Sequence, residues 1–219
     1  MNLLMNTTRP WLAAVLAVST LVIVSVCFVD RPLAQAMAQF DFFQALLSRA
    51  PVGFPLMKVV AGAAMLLAAG FLAAGKAMPK WVEAGLLVGL ALVLSLCLTE
   101  FVLKPVFGRV HPSDYLQSGQ YGFYWFHSGD MFGSFPSGHS DQAMSIVSVL
   151  WAFYPRWRWV YVAFLSLLAG ALMIGEWHFL SDIIAGGFVG TAAGVLTMRS
   201  WRAIGRDALS FANLISPRS

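Results

Sequence analysis

Two short segments carry residue types that could make and break bonds: Pro136-Ser137-Gly138-His139, and His178-Phe-Leu-Ser-Asp182. Pro-Ser-Gly-His at the start of a helix turns free backbone N–H groups and the positive dipole end toward an anion. Gly138 permits close approach there, and the Ser137 hydroxyl adds a donor. His178 and Asp182 are four residues apart, so on one helix they share a face. The carboxylate then accepts from one ring nitrogen and leaves the other as a nucleophile. His139 is left as the general acid for a departing oxygen. A third segment, Lys104-Pro-Val-Phe-Gly-Arg109-Val-His111-Pro112, offers Lys104 and Arg109 as fixed positive charge for phosphoryl oxygens. The chemistry is phosphoryl transfer.

The elements that must bring these segments together are membrane helices. Of the 219 residues 59% are hydrophobic and only 11% charged, and mean hydropathy is +0.74. Soluble domains carry about 25% charged residues. Here the apolar residues fall in blocks long enough to cross a hydrocarbon core of about 30 Å. Six spans are predicted, over roughly 10–29, 56–75, 82–103, 136–153, 159–177 and 178–198. Pro32 is expected to open an interfacial helix over 32–48, and the basic tail from Arg199 to rest on the inner surface. The expected fold is an all-α bundle of six transmembrane helices plus one interfacial helix, a single domain over 1–219 with its motif-bearing core at 104–182. No cleaved signal peptide is expected, since no small-x-small site ends the first apolar run.

His139 and His178 are 39 residues apart, enough for two crossings and a turn. A chain leaving one membrane face at His139 therefore returns to it at His178. Orientation follows from the basic residues. With the N-terminus inside, nine lie inside (Arg9, Lys76, Lys80, Arg156, Arg158, Arg199, Arg202, Arg206, Arg218) and five outside (Arg31, Arg49, Lys58, Lys104, Arg109). Both termini are expected in the cytoplasm and the three segments on the outer face, the periplasmic face of a bacterial inner membrane. Trp11, Trp81, Trp157, Trp159 and Trp201 then form an inner aromatic belt, with Trp125 and Trp177 near the outer one. The net charge of +4 is scattered between apolar blocks, so nucleic acid is not expected as a partner.

The three segments together resemble the signature of the type 2 phosphatidic acid phosphatase family. Its pattern is Lys, six residues, Arg-Pro; Pro-Ser-Gly-His; then Ser-Arg, five residues, His, three residues, Asp. Lys104, Pro112, Pro136–His139, His178 and Asp182 match in order and spacing. The resemblance implies His178 as the nucleophile of a phosphohistidine reaction, Asp182 as its partner, His139 as the acid, and neither metal nor other cofactor. Two positions depart from it. His111 stands where the pattern has Arg, and Ala171-Leu172 where it has Ser-Arg. Arg109, two residues early, is the expected replacement for one arginine, with His111 or His127 contributing.

The expected function is hydrolysis of a phosphate or diphosphate on a membrane lipid. The alternative is transfer of a phosphoryl or head group to another hydroxyl. A binding or transport protein on the same fold is a third reading, against which the presence of both histidines and Asp182 argues. A zinc site from His111, His127, His139, His178 and Asp182 is the chemical rival, opposed by the charge of Lys104 and Arg109. Elsewhere the bland readings are preferred. His127, Asp114, Asp130 and Asp141 read as interface residues, Glu100 as a structural hydrogen-bonding group, and Cys27 and Cys97 as small buried hydrophobes. Gly186, Gly190 and Gly194 read as a helix-packing ridge.

Overall fold

A computed structural model describes residues 2–47 and 54–215. Arg49 and Arg218, counted above for orientation, lie outside the described residues, as does Ser48 at the end of the expected interfacial helix. The chain is all-helical among the described residues: α1 Asn2–Val24, α2 Asp30–Met37, α3 Asp41–Leu47, α4 Phe54–Ala73, α5 Lys80–Leu98, α6 Lys104–Phe107, α7 Pro112–Ser118, α8 Gly138–Phe153, α9 Arg158–Ile174 and α10 Leu180–Ile215. Four stretches are long and apolar enough to cross a membrane: Arg9–Met37, Lys80–Phe107, Pro155–Ile174 and Leu180–Gly205. At the other two expected spans lie the 20-residue α4, with an apolar stretch of Lys58–Ala73, and the 16 residues of α8.

Two local expectations change, at Pro32 and at the two cysteines. Pro32 does not open a separate helix: α1 runs through a π turn at Ser25–Val29 directly into α2. Proline is tolerated in the first turn of a helix, so Pro32 is no barrier there. The tail from Arg199 continues α10 as helix to Ile215. Cys27 and Cys97 are exposed, free thiols, on helices that also expose large apolar side chains such as Phe28 and Phe101.

α8, α10 and α5 form the centre of the bundle. Leu87 and Ala91 of α5 pack with Val149 of α8 and Met198 of α10, and Leu92 with Ala61 and Ile146. The glycine ridge is the reason α8 and α10 lie so close. A Cβ on Gly186 would stand 2.3 Å from the Ser137 carbonyl oxygen, and one on Gly190 2.0 Å from that of Asp141. A Cβ on Gly194 would collide with the Ser148 hydroxyl. Only backbones without side chains between them approach in this way.

Both ends of the bundle carry basic side chains packed on aromatic rings. At one end Arg199 lies over Trp11 at 5.5 Å and Arg158 over Trp159 at 5.4 Å. There Trp201 also donates to Glu83 at 2.9 Å, tying α10 to α5. At the other end lie the C-terminus of α5, the N-termini of α8 and α10, and the loop between α7 and α8. That loop is clamped on Gly108, whose carbonyl accepts from the Tyr124 N–H at 2.8 Å. Gly108 has φ +54°, and a Cβ would stand 2.0 Å from the Tyr124 oxygen, so only glycine fits.

Candidate active site

A cavity of about 550 Å³ opens at this end, lined by Glu100, Lys104, His111, Gly138, His139, Gln142, Trp177 and His178, with Pro105 and part of the 128–133 loop. All three sequence segments contribute. Lys104 follows a second π turn, Thr99–Leu103, that continues α5. Its ammonium is 2.7 Å from Glu100 one turn back, which gives Glu100 the structural partner expected of it. Gly138 opens α8, and a Cβ there would meet Glu100 Oε1 at 2.9 Å and Lys104 Nζ at 3.4 Å.

His178 is buried and precedes α10, whose first residue is Leu180. This corrects the expectation that His178 and Asp182 share a helix face, and with it the expected hydrogen bond. His178 Nδ1 lies 3.9 Å from Asp182 Oδ2, but 3.0 Å from the Ser134 carbonyl, to which it donates. Nδ1 is thereby the protonated nitrogen, and Nε2 keeps its lone pair. The Asp182 carboxylate instead accepts from the Phe179 N–H at 2.8 Å and the Ser134 hydroxyl at 2.6 Å. Ser134 thus touches both residues, and Asp182 reaches His178 through it.

The His178 ring is flanked by the His139 ring at 5.8 Å and the His111 ring at 5.7 Å. His111 donates Nδ1–H to the Trp177 carbonyl at 2.7 Å. Burial, followed by the nearby His111, His139 and Lys104, pushes His178 well below the usual histidine range. The imidazole is therefore held neutral, with its lone pair available.

Arg109 is the chief correction. It lines no part of the cavity and is fully buried. One guanidinium nitrogen donates to Asp182 and Ser181, both at 2.5 Å. The other donates to Asp30 at 2.7 Å and to the Tyr121 hydroxyl at 3.1 Å. The Phe179 and Phe123 rings lie 4.5 and 4.9 Å from its central carbon. A buried guanidinium whose two terminal nitrogens are spent on two carboxylates is held out of the substrate cavity. Ser137 is also occupied: it is buried, and its hydroxyl caps α8 by accepting from the Ser140 N–H at 3.3 Å. His127 is exposed, bonded to the Trp125 carbonyl at 3.1 Å, and outside the cavity lining. Leu172, at the second departed arginine, is buried.

Several residues escaped the sequence reading. Asp30 ends the first apolar run, yet it is buried against Arg109 and the Ser181 backbone N–H, the latter at 3.1 Å. Only its position at a span end marked it, and that is ordinary for an interface aspartate. Ser134 and Tyr121 carried no signal. Lys58 of α4 lies within electrostatic reach of His139, a cation that the motif spacing could not place. Asp141, expected at the interface, is fully buried. Among the described residues no three His, Cys, Asp or Glu side chains are grouped to hold a metal.

Residues 84–206 match the model of the PAP2 superfamily, a stretch that contains every motif residue. The chain is also 31% identical over 96 residues to a lipid A 1-phosphatase of Rhizobium johnstonii, covering 44% of this chain and 39% of that protein. It is 32% identical over 85 residues to a lipid A 1-phosphatase of Rhizobium etli, covering 39% of this chain and 37% of the relative. The chain thus spans about two fifths of the length of the curated relatives it matches. No solved structure matches it. With its motifs in order and the family model covering more than half of its length, the chain belongs to the PAP2 superfamily, the grouping that its phosphatidic acid phosphatase signature implied.

Proposed function

We propose that this protein is a bacterial membrane lipid phosphatase that works through a phosphohistidine at the outer face of the inner membrane. The observation that carries the reading is the His178 tautomer: Nδ1 is committed to the Ser134 carbonyl, which leaves the Nε2 lone pair for phosphorus in a cavity shared with His139 and Lys104. In the first step Nε2 bonds to phosphorus as the phosphorus–oxygen bond to the lipid breaks. His139 gives a proton to the leaving oxygen. In the second step His139 takes a proton from water, the water oxygen bonds to phosphorus, and the P–N bond breaks to release inorganic phosphate and restore His178. Lys104, the Gly138 backbone and His111 bind the phosphoryl oxygens. Arg109 and Asp182 act as positioning residues, holding the loop that carries His178.

The relatives' name, lipid A 1-phosphatase, supports a lipid phosphate as the substrate. The cavity, at about 550 Å³, is in the size range of pockets that enclose a ligand of drug size. Release of inorganic phosphate from a panel of purified lipids, lipid A and phosphatidate among them, tests the reading, with His178→Ala as control. The expected result is release by the wild type alone, with an acid-labile phosphoprotein trapped during turnover. Equal turnover by His178→Ala removes the mechanism. Phosphate appearing on an added alcohol, with little released to water, would assign the protein to phosphoryl transfer instead.

A further inference from the structure

A second cavity, of about 530 Å³, adjoins the first. The two share His111 and Trp177, which are tied together where His111 Nδ1–H donates to the Trp177 carbonyl at 2.7 Å. Their walls differ in kind. The first presents Lys104 beside three histidines. The second is lined by Gln44 of α3, by Ser113, Asp114 and Gln117 of α7, and by Glu176, with neither Lys nor Arg among its described residues. Met131 and Trp177 add apolar surface. α7 is anchored to the turn before α10, where the Ser113 N–H donates to the Glu176 carbonyl at 3.3 Å. Glu176 has φ +59°, a left-handed backbone that residues other than glycine adopt rarely and that recurs at ligand clamps.

The hydrogen-bonding character of these side chains narrows the ligand. A carboxylate only accepts, whereas glutamine amides and a serine hydroxyl both donate and accept. A phosphate is an anion and an acceptor, so Asp114 opposes it. An ammonium only donates, and would leave the donors of Gln44 and Gln117 unanswered. Sugar hydroxyls donate and accept at several points at once, and the C–H face of the ring suits Met131 and Trp177. The position fits as well. The His111 ring is 5.7 Å from that of His178, so a phosphate at His178 and its neighbouring group in the same molecule fall in adjoining spaces.

We propose that the second cavity binds a sugar in the head group of the lipid whose phosphate enters the first, so that the preferred substrate carries its phosphate on a sugar. Asp114 and Gln117 set this specificity. The assignment rests on the phosphatase reading of the first cavity.

Two phosphorylated lipids with identical acyl chains test it in nanodiscs: phosphatidate, and a diacylglycerol glucoside with the phosphate on its glucose. The wild type should show a KM about tenfold or more lower on the glucoside, since a site built for hydroxyls rejects an analogue lacking them. Asp114→Ala and Gln117→Ala should each raise that KM about threefold or more, the worth of one hydrogen bond, and leave the KM for phosphatidate as it was. Gln117 is exposed, so its variant decides the matter should Asp114→Ala fail to fold. Equal KM on the two lipids in the wild type, or equal losses on both in the variants, would overturn the sugar site. A binding arm needs no turnover. The phosphate-free glucoside should raise the Tm of His178→Ala saturably, relative to plain diacylglycerol, and the rise should shrink on adding Gln117→Ala. If neither phosphorylated lipid is hydrolysed, the phosphatase reading fails and this shift still supports the sugar site; absence of any glucoside-dependent shift overturns it. A larger shift with phosphatidylethanolamine would assign the cavity an ammonium and overturn it too.

Discussion

His178 gives its Nδ1 proton to a backbone carbonyl, and a carbonyl carries no full charge with which to hold an imidazolium. Burial and cationic neighbours already keep the ring neutral. The acid limb of kcat/KM should therefore lie well below pH 6.5, the ordinary histidine value; a nucleophile limb at 6.5 or above in a pH–rate profile would contradict the neutral ring. Stability follows with a definite sign. The unfolded His178 takes up a proton near pH 6.5 that the folded one refuses, so this group's contribution is present above that pH and lost as pH falls below it. Ser134 is the residue through which Asp182 acts, and its hydroxyl bond to that carboxylate is charge-assisted, worth roughly 1.5–3 kcal/mol. Ser134→Ala should lower kcat about tenfold or more, by conversion of that energy at 1.4 kcal/mol per factor of ten, with little change in KM. Ser134→Thr should restore much of the loss, whereas a purely steric role would leave kcat unmoved in the alanine variant.

At the scale of elements, two contacts set the distance between the histidines. The first is the glycine ridge, which was legible in the sequence because its four-residue spacing is a helix property. Gly190→Ala should disrupt the α8–α10 contact and lower both Tm and activity, since its Cβ would fall 2.0 Å from the Asp141 carbonyl. Gly187→Ala, whose Cβ would meet the Met144 side chain at 3.6 Å, should be tolerated. Comparison of the two melting curves checks this. The second contact is the Arg109 cage, which was not legible. Its partners Asp30 and Asp182 lie 79 and 73 residues away along the chain, and no spacing rule reaches so far. Proximity to the motif made Arg109 resemble a phosphate ligand, whereas its burial makes it a brace. Arg109→Ala should cost about 3–5 kcal/mol of stability by leaving two buried carboxylates unpaired. Arg109→Lys should recover little, because one ammonium cannot reproduce the fork. Denaturant unfolding would show this; a normal melting curve combined with a raised KM would restore the ligand role. The start of α10 at Leu180, beyond His178, was likewise hidden, because the Asp182 cap is a contact of the folded loop.

For the whole molecule, the cavity holds one lysine and three histidines where the family pattern has two more arginines. The folded chain supplies Lys58 from α4 as a further cation near His139, and Lys58→Ala should lower kcat/KM severalfold on anionic lipid. Short soluble monoesters, bound by charge alone, should be poor substrates beside long-chain lipids. Equal rates on both would remove the weight placed on the missing arginines. Chelator should leave activity unchanged, and restoration of a chelated enzyme by zinc would revive the metal rival. Orientation is open to a direct check at Ser118, exposed at the end of α7. A cysteine there should react with an impermeant thiol reagent in intact cells, and labelling only after lysis would invert the proposed topology.

Asp30 lies at the end of the first long helix, yet it is bonded to Arg109, 79 residues later, and to Ser181, 151 residues later. A chain made from its N-terminus and inserted span by span presents that aspartate to the ribosome-bound nascent protein well before either partner exists. The brace closes only when the start of the last span has been delivered, and His178 is seated by the same closure. A chain arrested before Ser181 would hold His178 without the contacts that seat it, and on the proposed function it should have no activity.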